Sequence, residues 1–477
     1  MTCSTCETLP PAGELLLAEG GKSDWRIVVG KSPSVYEKKA ARLLQLYFLR
    51  AAEAYLPIVT DAEPAADCEI VIGRTDRDPL SGIPPRKPLT PHLPDYDSYR
   101  ITANGCRIFL DCAGDRENGE KNRGAVYAAY RFIEEFLHFD ILYDQINNDY
   151  RDLTLDRVTV PADTHIESSA RTLWAGSIPA YPGETVMYML PQVDLATQIG
   201  TGVLFKTADG KILLIDGGYA GELENLAAAV KAVTPAGERP RVDAWLITHL
   251  HEDHFDALLR YLDTVERGGD AGFDLGEIWG HVLSSAWYEG QGLGSYAGRA
   301  ERLKNPPAGI GYTELNRGDC FAFGAARMEV LWTGREDVRC NMNDSSVVMR
   351  VTSDGKRILL LADAEGVAGE ALLRECAPEQ LAADAVQIGH HGTFNVPKAV
   401  YARAGATDYF WPITYRWWYC DDGTGLGTIN KQYGTLAAMS KTRLWLEQLK
   451  VPREKIYRSY VGTAVYRFAE GQAMFLP

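Results

Sequence analysis

The sequence predicts an α/β protein with two parts, a small α/β domain over residues 1–167 and a larger α/β domain over residues 185–477. The first part alternates short apolar runs with helical patterns. In the second part, four apolar runs are each followed within two residues by an aspartate or a histidine. A stretch containing Pro and Gly, residues 168–184, is predicted as a linker. The length of 477 residues agrees with this division, because domains average about 150 residues.

The elements of the first part follow from apolar spacing. The predicted helices are residues 34–54 and 123–137, where apolar side chains recur at helical intervals. The predicted strands are the apolar runs 25–30, 68–73, 98–103 and 106–112. Asn104-Gly105 separates the last two, and this dipeptide is the strongest short signal for a β-hairpin.

Several segments of this part match a known domain. Tyr99-Arg-Ile, the run Cys106–Leu110 and the helical motif from Gly124 to Phe136 resemble the accessory domain of α-glucuronidases and family-20 hexosaminidases. In those families this domain precedes a catalytic barrel and contains no catalytic residues, and no such barrel follows here. The resemblance therefore implies a structural or docking role, with direct sugar binding as the alternative.

Composition restricts the classes of function. Apolar residues make up 46% and charged residues 24% of the chain, which is typical of a globular protein and excludes bulk disorder. The net charge of −15 disfavours nucleic acid as a partner. No charge-free segment is long enough to span a membrane, and the first 30 residues do not read as a secretory signal. Nine scattered cysteines are typical of free thiols, so we expect a cytoplasmic protein without a membrane partner.

A dense histidine motif follows the apolar run 244–247. It reads His249-x-His251-x-Asp253-His254. In an extended loop, residues two apart project to the same side, so His249 and His251 can chelate one metal ion. A turn into a helix at Asp253 would direct Asp253 and His254 toward a second ion.

Further ligand-type residues follow other predicted strands. Asp216 follows 211–215, Asp363 follows 357–362, and His390-His391 follows 384–389. Because functional groups of α/β folds gather beyond the carboxyl ends of strands, we expect these residues to meet the histidine motif. Five of the nine histidines belong to these clusters, which favours a metal site over a set of unrelated structural histidines.

These motifs resemble the metallo-β-lactamase superfamily, whose αββα fold has two β-sheets between layers of helices. The resemblance covers about residues 185–470 and is nearest to the domain of competence proteins and phosphorylcholine esterases. The features typical of that branch are Asn343-Asp-Ser-Ser346, Asp363-Ala-Glu365 and the His-His-Gly context of His391.

The resemblance implies a pair of zinc ions, for which manganese or iron are alternatives. The implied ligands are His249 and His251 for the first ion, Asp253, His254 and His391 for the second, and Asp363 as the bridge. Asp216 would orient the histidine loop through hydrogen bonds. Asn343 stands where other branches have a histidine ligand, so the first site would be weaker. His281 is an outside candidate for the missing ligand, although a core histidine is the favoured reading.

The implied activity is hydrolysis by a zinc-bound hydroxide, with Asp253, Asp363 and His390 as the catalytic residues. The branch favours a small or glycan-linked phosphodiester. The alternatives are a lactone or β-lactam hydrolase, and a glycan-binding protein with a structural metal site. The candidate substrate contacts are the aromatic residues Trp287, Tyr415, Trp417 and Trp418, for which packing in a core is the competing explanation.

Overall fold

The computed structural model describes residues 13–82, 98–112, 123–141, 154–168, 173–193, 199–338, 340–421 and 435–476. The chain divides into two compact units. Unit 1 consists of Met1–Thr172 and Tyr419–Ile429, and unit 2 of Leu173–Trp418 and Asn430–Pro477. Contacts thus place Tyr419–Ile429 with unit 1, a grouping that the linear division predicted from the sequence does not include. Residues 169–172 of the predicted linker lie outside the described residues.

Unit 1 is built on a six-stranded sheet with the order β3-β2-β4-β6-β5-β8 and a two-stranded sheet β1-β7. The strands are β1 (Glu14–Glu19), β2 (Arg26–Val29), β3 (Ile58–Thr60), β4 (Glu69–Ile72), β5 (Tyr99–Asn104), β6 (Arg107–Cys112), β7 (Arg157–Pro161) and β8 (His165–Ser168). The helices described in this unit are α1 (Val35–Ala52) and α2 (Gly124–Phe136). All the strands and helices predicted for this part are confirmed within a few residues.

Local sequence signals explain two of these elements. Helix α1 begins at a capping box, in which the Ser34 hydroxyl accepts a hydrogen bond from the Glu37 amide at 3.2 Å and the Glu37 carboxylate accepts one from the Ser34 amide at 2.7 Å. The hairpin between β5 and β6 turns at Gly105, whose φ of 60° suits glycine. Asn104 pairs with Arg107, as the Asn-Gly signal predicts.

Unit 2 contains two larger sheets. The eight-stranded sheet has the order β14-β13-β12-β11-β10-β9-β22-β23, and the seven-stranded sheet runs from β15 to β21 in sequence order. The strands of the first are β9 (Val186–Leu190), β10 (Gly202–Lys206), β11 (Ile212–Asp216), β12 (Arg241–Ile247), β13 (Asp274–Gly280), β14 (Gly311–Glu314), β22 (Ala464–Arg467) and β23 (Gln472–Phe475). Those of the second are β15 (Cys320–Phe323), β16 (Ala326–Trp332), β17 (Val348–Ser353), β18 (Lys356–Leu360), β19 (Ala385–Gln387), β20 (Asp408–Trp411) and β21 (Ile456–Arg458).

Helices cover the outer faces of both sheets. Those described are α3 (Leu223–Val233), α4 (Glu252–Glu266), α5 (Ser285–Gly290), α6 (Gly294–Lys304), α7 (Gly366–Glu375), α8 (Pro378–Leu381), α9 (Lys398–Ala404), α10 (Tyr415–Trp418) and α11 (Thr435–Gln448). On the first sheet, α3, α4 and α6 pack on the face that carries Tyr188 and Trp245. On the second, Tyr401 of α9 lies against Tyr409 of β20, with ring centroids 6.1 Å apart.

The two sheets share a central apolar layer. Alternate residues of the first sheet, such as Met187 and Leu213, are buried in one cluster with Met328 and Ile358 of the second. The period of two along each strand directs neighbouring residues to opposite faces, so both faces of each sheet are apolar. The predicted αββα sandwich, preceded by a small α/β unit, is therefore confirmed.

Parallel strands bring functional residues to one edge. Strands β11 to β14 are parallel to one another, as are β18 to β21. The predicted ligands follow the carboxyl ends of β12, β18 and β19, and Asp216 ends β11. Within the described part of the chain, no helix has both the length and the apolar character needed to cross a membrane. The cysteines described in the structure are free thiols.

Candidate metal centre

The histidine motif occupies the loop between β12 and α4. Strand β12 ends at Ile247, and His251 caps α4 with extended backbone angles, φ −63° and ψ 154°. Asp253 and His254 therefore lie in the first turn of the helix, where the amide of His254 donates to the His251 carbonyl at 3.2 Å. The predicted change from extended loop to helix at this point is confirmed.

Asp216 holds this loop from the neighbouring strand. Its Oδ1 accepts a hydrogen bond from the Thr248 amide at 2.8 Å, and its Oδ2 accepts one from the Thr248 hydroxyl at 2.8 Å. Oδ2 also lies 2.8 Å from Nδ1 of His254. A carboxylate can only accept here, so Nδ1 of His254 carries the proton and Nε2 presents its lone pair on the opposite side of the ring.

His391 is oriented in the same manner from the second sheet. Its Nδ1 lies 2.8 Å from the carbonyl oxygen of Pro412, which must accept, so Nε2 again carries the lone pair. The His391 carbonyl accepts a hydrogen bond from the Trp411 indole at 2.6 Å. His390 and His391 have φ values of 42° and 51°, so this turn stores backbone strain at the candidate site.

Asp363 lies at the centre of the cluster. Its amide donates to the Ser346 hydroxyl at 3.3 Å, and its Oδ2 is 3.1 Å from Nε2 of His254 and 3.4 Å from Nε2 of His391. Asp253 Oδ2 is 3.2 Å from the same His391 nitrogen and 3.7 Å from the His254 nitrogen. One ligand atom from each of these four residues lies within 4.8 Å of all the others.

The donor set fits a divalent metal ion. Nε2 of His254, Nε2 of His391 and Oδ1 of Asp363 are buried and have no hydrogen-bond partner among the described residues. Buried polar atoms without partners are costly, and a cation between them would satisfy all of them together. Two imidazoles and two carboxylates suit zinc, and also iron or manganese.

His249 and His251 lie beside this cluster. Nε2 of His249 is 3.0 Å from Nδ1 of His251 and 3.9 Å from Oδ2 of Asp363. The ring centroids of His249 and His254 are 4.2 Å apart. The group that converges within 4.8 Å contains four of the six predicted ligands, Asp253, His254, Asp363 and His391. His249 lies next to this group, and His251 contacts it through His249.

His390 faces Asp363 from a third direction and is paired with Glu365. Its Nδ1 is 2.8 Å from the Glu365 carboxylate, and its Nε2 is 3.9 Å from Asp363 Oδ2. The Asn343 amide donates to Glu365 at 2.8 Å and lies 3.3 Å from Nε2 of His390. Asn343 Oδ1 is buried without a hydrogen-bond partner in the described structure, so one oxygen ligand is free at this position.

The carboxylates of the centre favour positive charge on the neighbouring histidines. Burial by itself lowers the pKa of His254, but Asp363, Asp216 and Asp253 outweigh it and raise the pKa well above the usual value. For His391, Asp363 and Asp253 likewise overcome burial and raise the pKa to about 9. The carboxylates therefore hold positive charge in the cluster, as protons or as a metal ion that displaces them.

Comparisons with protein-family models and with curated proteins gave no match. Comparison with solved structures gave matches of low sequence identity. YhfI from Bacillus subtilis, described as a protein of that fold, is 15% identical with a TM-score of 0.36, over 60% of this chain and 100% of that chain. CmlA, a diiron β-hydroxylase from Streptomyces venezuelae, is 14% identical with a TM-score of 0.35, over 60% of this chain and 54% of that chain. Zn²⁺-bound PqqB from Methylobacterium extorquens is 15% identical with a TM-score of 0.30, over 54% and 84% of the two chains.

The predicted aromatic contacts are mostly core residues. Trp287 and Tyr288 are buried and pack edge to face, with ring centroids 5.1 Å apart. Tyr415 and Trp418 of α10 are also buried. Trp417, which is half-buried, is the one predicted aromatic contact with appreciable exposure. The competing explanation, packing in a core, therefore holds for Trp287, Tyr415 and Trp418.

His281 is separate from the predicted ligands. Its Nδ1 lies 2.9 Å from the Leu315 carbonyl and its Nε2 3.0 Å from the Gly334 carbonyl, so both ring nitrogens have partners. The favoured reading of His281 as a structural histidine is supported by these contacts.

Sequence reasoning missed the roles of Glu365 and Thr248. Glu365 had a usable signal, because it lies two residues after Asp363 and acidic residues beyond a strand end are candidates for the same site. Thr248 had none, since its part depends on its amide and hydroxyl reaching Asp216 from a neighbouring strand.

Proposed function

We propose that unit 2 is a metal-dependent hydrolase that acts on a small phosphodiester. The observation that carries this proposal is the group Asp253, His254, Asp363 and His391, whose ligand atoms converge within 4.8 Å. Nε2 of His254, Nε2 of His391 and Oδ1 of Asp363 are buried without a hydrogen-bond partner in the described structure. The proposed cofactor is a pair of zinc ions, with His249 and His251 as ligands of the first ion and Asp253, His254 and His391 as ligands of the second. Iron and manganese are the alternatives.

When bound, such ions lower the pKa of water and polarise a phosphoryl or carbonyl oxygen. The chain's own residues supply the remaining functions. Asp216 and the Pro412 carbonyl fix the imidazoles of His254 and His391, so that little reorganisation is needed on binding. The Glu365 carboxylate lies 2.8 Å from Nδ1 of His390, which leaves Nε2 to face the reacting group and to stabilise negative charge or donate a proton to the leaving group.

Two features support a small phosphodiester as the substrate. Asn343 and the Asp363-Ala-Glu365 sequence are the features that resemble the phosphorylcholine-esterase branch, and two adjacent metal positions suit in-line displacement at phosphorus. The acidic chain, with a net charge of −15, disfavours a long nucleic acid. A glycan-linked phosphodiester and a cytoplasmic location stay predictions from the sequence.

Two alternative functions are carbonyl hydrolysis and glycan binding. Hydrolysis of a lactone or β-lactam would use the same residues, so only turnover separates it from phosphodiester hydrolysis. Glycan binding through the aromatic segment has less support, because Tyr415 and Trp418 are buried rather than exposed.

The proposal is tested by metal loading followed by turnover. We expect metal-loaded protein to hydrolyse bis(4-nitrophenyl) phosphate faster than nitrocefin or a simple lactone. Asp363→Asn should abolish that activity, whereas Asp243→Asn, at the opposite end of the sheet, should retain it. Faster turnover of nitrocefin or the lactone would replace the phosphodiesterase assignment, and full activity of Asp363→Asn would overturn the proposed centre.

A further inference from the structure

An exposed aromatic ring lies next to His390. Phe394 is 43% exposed, although large apolar side chains are normally buried. Its ring centroid is 6.3 Å from that of His390, with an angle of 37° between the planes. Phe394 is therefore an apolar surface in direct reach of a group that binds next to His390.

The backbone presents this ring from a constrained turn. Phe394 has a φ of 24°, and it follows Gly392 with a φ of 79°. The amide and the hydroxyl of Thr393 both donate to the His390 carbonyl at 2.8 Å. Non-glycine residues avoid such φ values unless the surrounding contacts enforce them, and strain of this kind is concentrated at functional sites.

Neighbouring helices hold the same turn. Thr442 of α11 donates its hydroxyl proton to the Gly392 carbonyl at 2.7 Å. Tyr401 of α9 donates to the Asn395 side-chain carbonyl at 2.5 Å. Phe394 thus projects from a turn that is fixed on both of its flanks, so its ring is preorganised for a contact.

The ring lies on the open side of the centre. The side chains of His254 and His391 have no exposure, whereas those of His390 and Glu365 are each 16% exposed and that of Asp253 is 17% exposed. His390, Glu365 and Asp253 therefore form part of the exposed edge of the centre, and Phe394 lies beside His390.

We propose that Phe394 is a specificity-determining residue that packs against an aryl or alkyl group of the substrate, next to the bond that is cleaved. This inference rests on the proposed function and narrows its substrate class to esters with an apolar substituent. A benzene ring has no polar atom, so it gains most from covering another apolar surface.

A sugar ring is a poorer match for the same position. Sugar recognition on an aromatic face also needs hydrogen-bonding groups at the rim. The polar side chains that flank Phe394 in the chain, Thr393 and Asn395, are already engaged with the His390 carbonyl and with Tyr401 and Thr442. The surroundings of Phe394 therefore favour an apolar group over a polyhydroxylated one.

The experiment compares phenylphosphonate with methylphosphonate as ligands of the metal-loaded full chain, by titration calorimetry. We expect phenylphosphonate to bind about tenfold more tightly, because the phenyl group removes more apolar surface from water. Phe394→Ala should reduce this preference to about twofold or less, and Phe394→Leu should keep most of it. Met474→Ala, which removes an equally exposed apolar side chain on β23, should leave it unchanged.

Turnover gives a second measurement on the same variants. Phenyl 4-nitrophenyl phosphate and methyl 4-nitrophenyl phosphate share a leaving group, so the ratio of their kcat/KM values reports the other substituent. Equal affinity of the unchanged chain for both phosphonates, or an unaltered preference in Phe394→Ala, would overturn the inference alone. Metal-loaded protein that binds neither phosphonate and hydrolyses neither ester would overturn the proposed function and this inference with it.

Discussion

Asp216 Oδ2 lies 2.8 Å from Nδ1 of His254, across two neighbouring parallel strands. Asp216 has a φ of 52°, so its backbone is strained at the point where β11 ends. The contact directs Nε2 of His254 to Asp363, 3.1 Å away. Asp216 is not itself a predicted ligand, but it orients one of them, His254.

We expect Asp216→Ala to lower metal affinity by about 10- to 100-fold, because partners of ligating histidines contribute to affinity on that scale. The loss has two sources, the free rotation of His254 and the release of Thr248. Competition with a chromophoric chelator measures the affinity. Asp243→Asn is the matched control, since Asp243 also bridges β11 and β12 but at the far end of the strands. Equal affinities of Asp216→Ala and the unchanged protein would refute this role.

Substitutions of Glu365 and His390 should impair catalysis without loss of the metal ion. We expect His390→Ala to lower kcat by about 10²- to 10³-fold while metal content is retained. Glu365→Gln should give a smaller loss of kcat and a displaced pH profile, because the amide can still contact Nδ1 but carries no charge. His165→Ala, in unit 1, is the control and should keep both properties. Loss of metal in His390→Ala would instead make His390 a ligand.

A side chain at position 392 would clash with its neighbours next to the metal centre. A Cβ at this residue would lie 2.1 Å from a ring carbon of Trp411, and φ is 79°. We expect Gly392→Ala to destabilise the protein by about 2 to 4 kcal/mol, from backbone strain together with overpacking of a buried ring. Thermal unfolding and metal content measure the two consequences. Gly366→Ala should be tolerated, because its added Cβ meets no atom within 4 Å. A melting temperature for Gly392→Ala equal to that of Gly366→Ala would contradict the packing described here.

The stability of unit 1 should depend on pH through the ionisation of Glu69. Burial by itself raises the pKa of Glu69, but hydrogen bonds from the Ala66 amide and from Arg26, Arg77 and Arg107 outweigh it and lower the pKa from 4.5 to about 2. A carboxylate with a lowered pKa stabilises the fold above pH 4.5, and this contribution is lost as the pH falls toward 2. Its size is on the order of 3 kcal/mol.

Hydrogen exchange of the amides in β2, β4 and β6 measures this contribution locally. We expect Glu69→Gln to speed exchange strongly at pH 7, because three guanidinium groups lose their buried partner, and to differ less from the unchanged protein near pH 2. Glu63→Gln is the control, since Glu63 is exposed and lies 3.4 Å from Arg26. A difference between Glu69→Gln and the unchanged chain that is constant with pH would contradict the role of ionisation.

Much of the fold and the candidate site could be predicted because the signals are local. Apolar runs such as those of β11 and β18 are long enough to identify buried strands. Because functional residues gather at the carboxyl ends of parallel strands, Asp216 and Asp363 could be predicted to lie at the same edge. The spacing of His251 and Asp253 indicated the change from loop to helix. These inferences required no knowledge of distant contacts.

The features that were missed depend on packing between distant segments. The carboxylate of Asp421 contacts Lys39, 382 positions away, and accepts a hydrogen bond from Tyr130 at 2.6 Å. Asp421 belongs to unit 1 together with Lys39 and Tyr130, and no local pattern in the sequence indicates these contacts. Likewise, the guanidinium carbon of Arg443 lies 3.6 Å from the ring centroid of Trp418. Trp418, predicted as a substrate contact, is therefore packed in the core and does not form a binding surface.

The most direct test of the account is the metal content of the protein after equilibrium dialysis against Zn²⁺, measured by elemental mass spectrometry. We predict at least one tightly held ion per chain, its loss in the double variant His254→Ala/His391→Ala, and its retention in His165→Ala. An unchanged chain that holds no more zinc than the double variant would contradict the central claim that these residues form a metal centre.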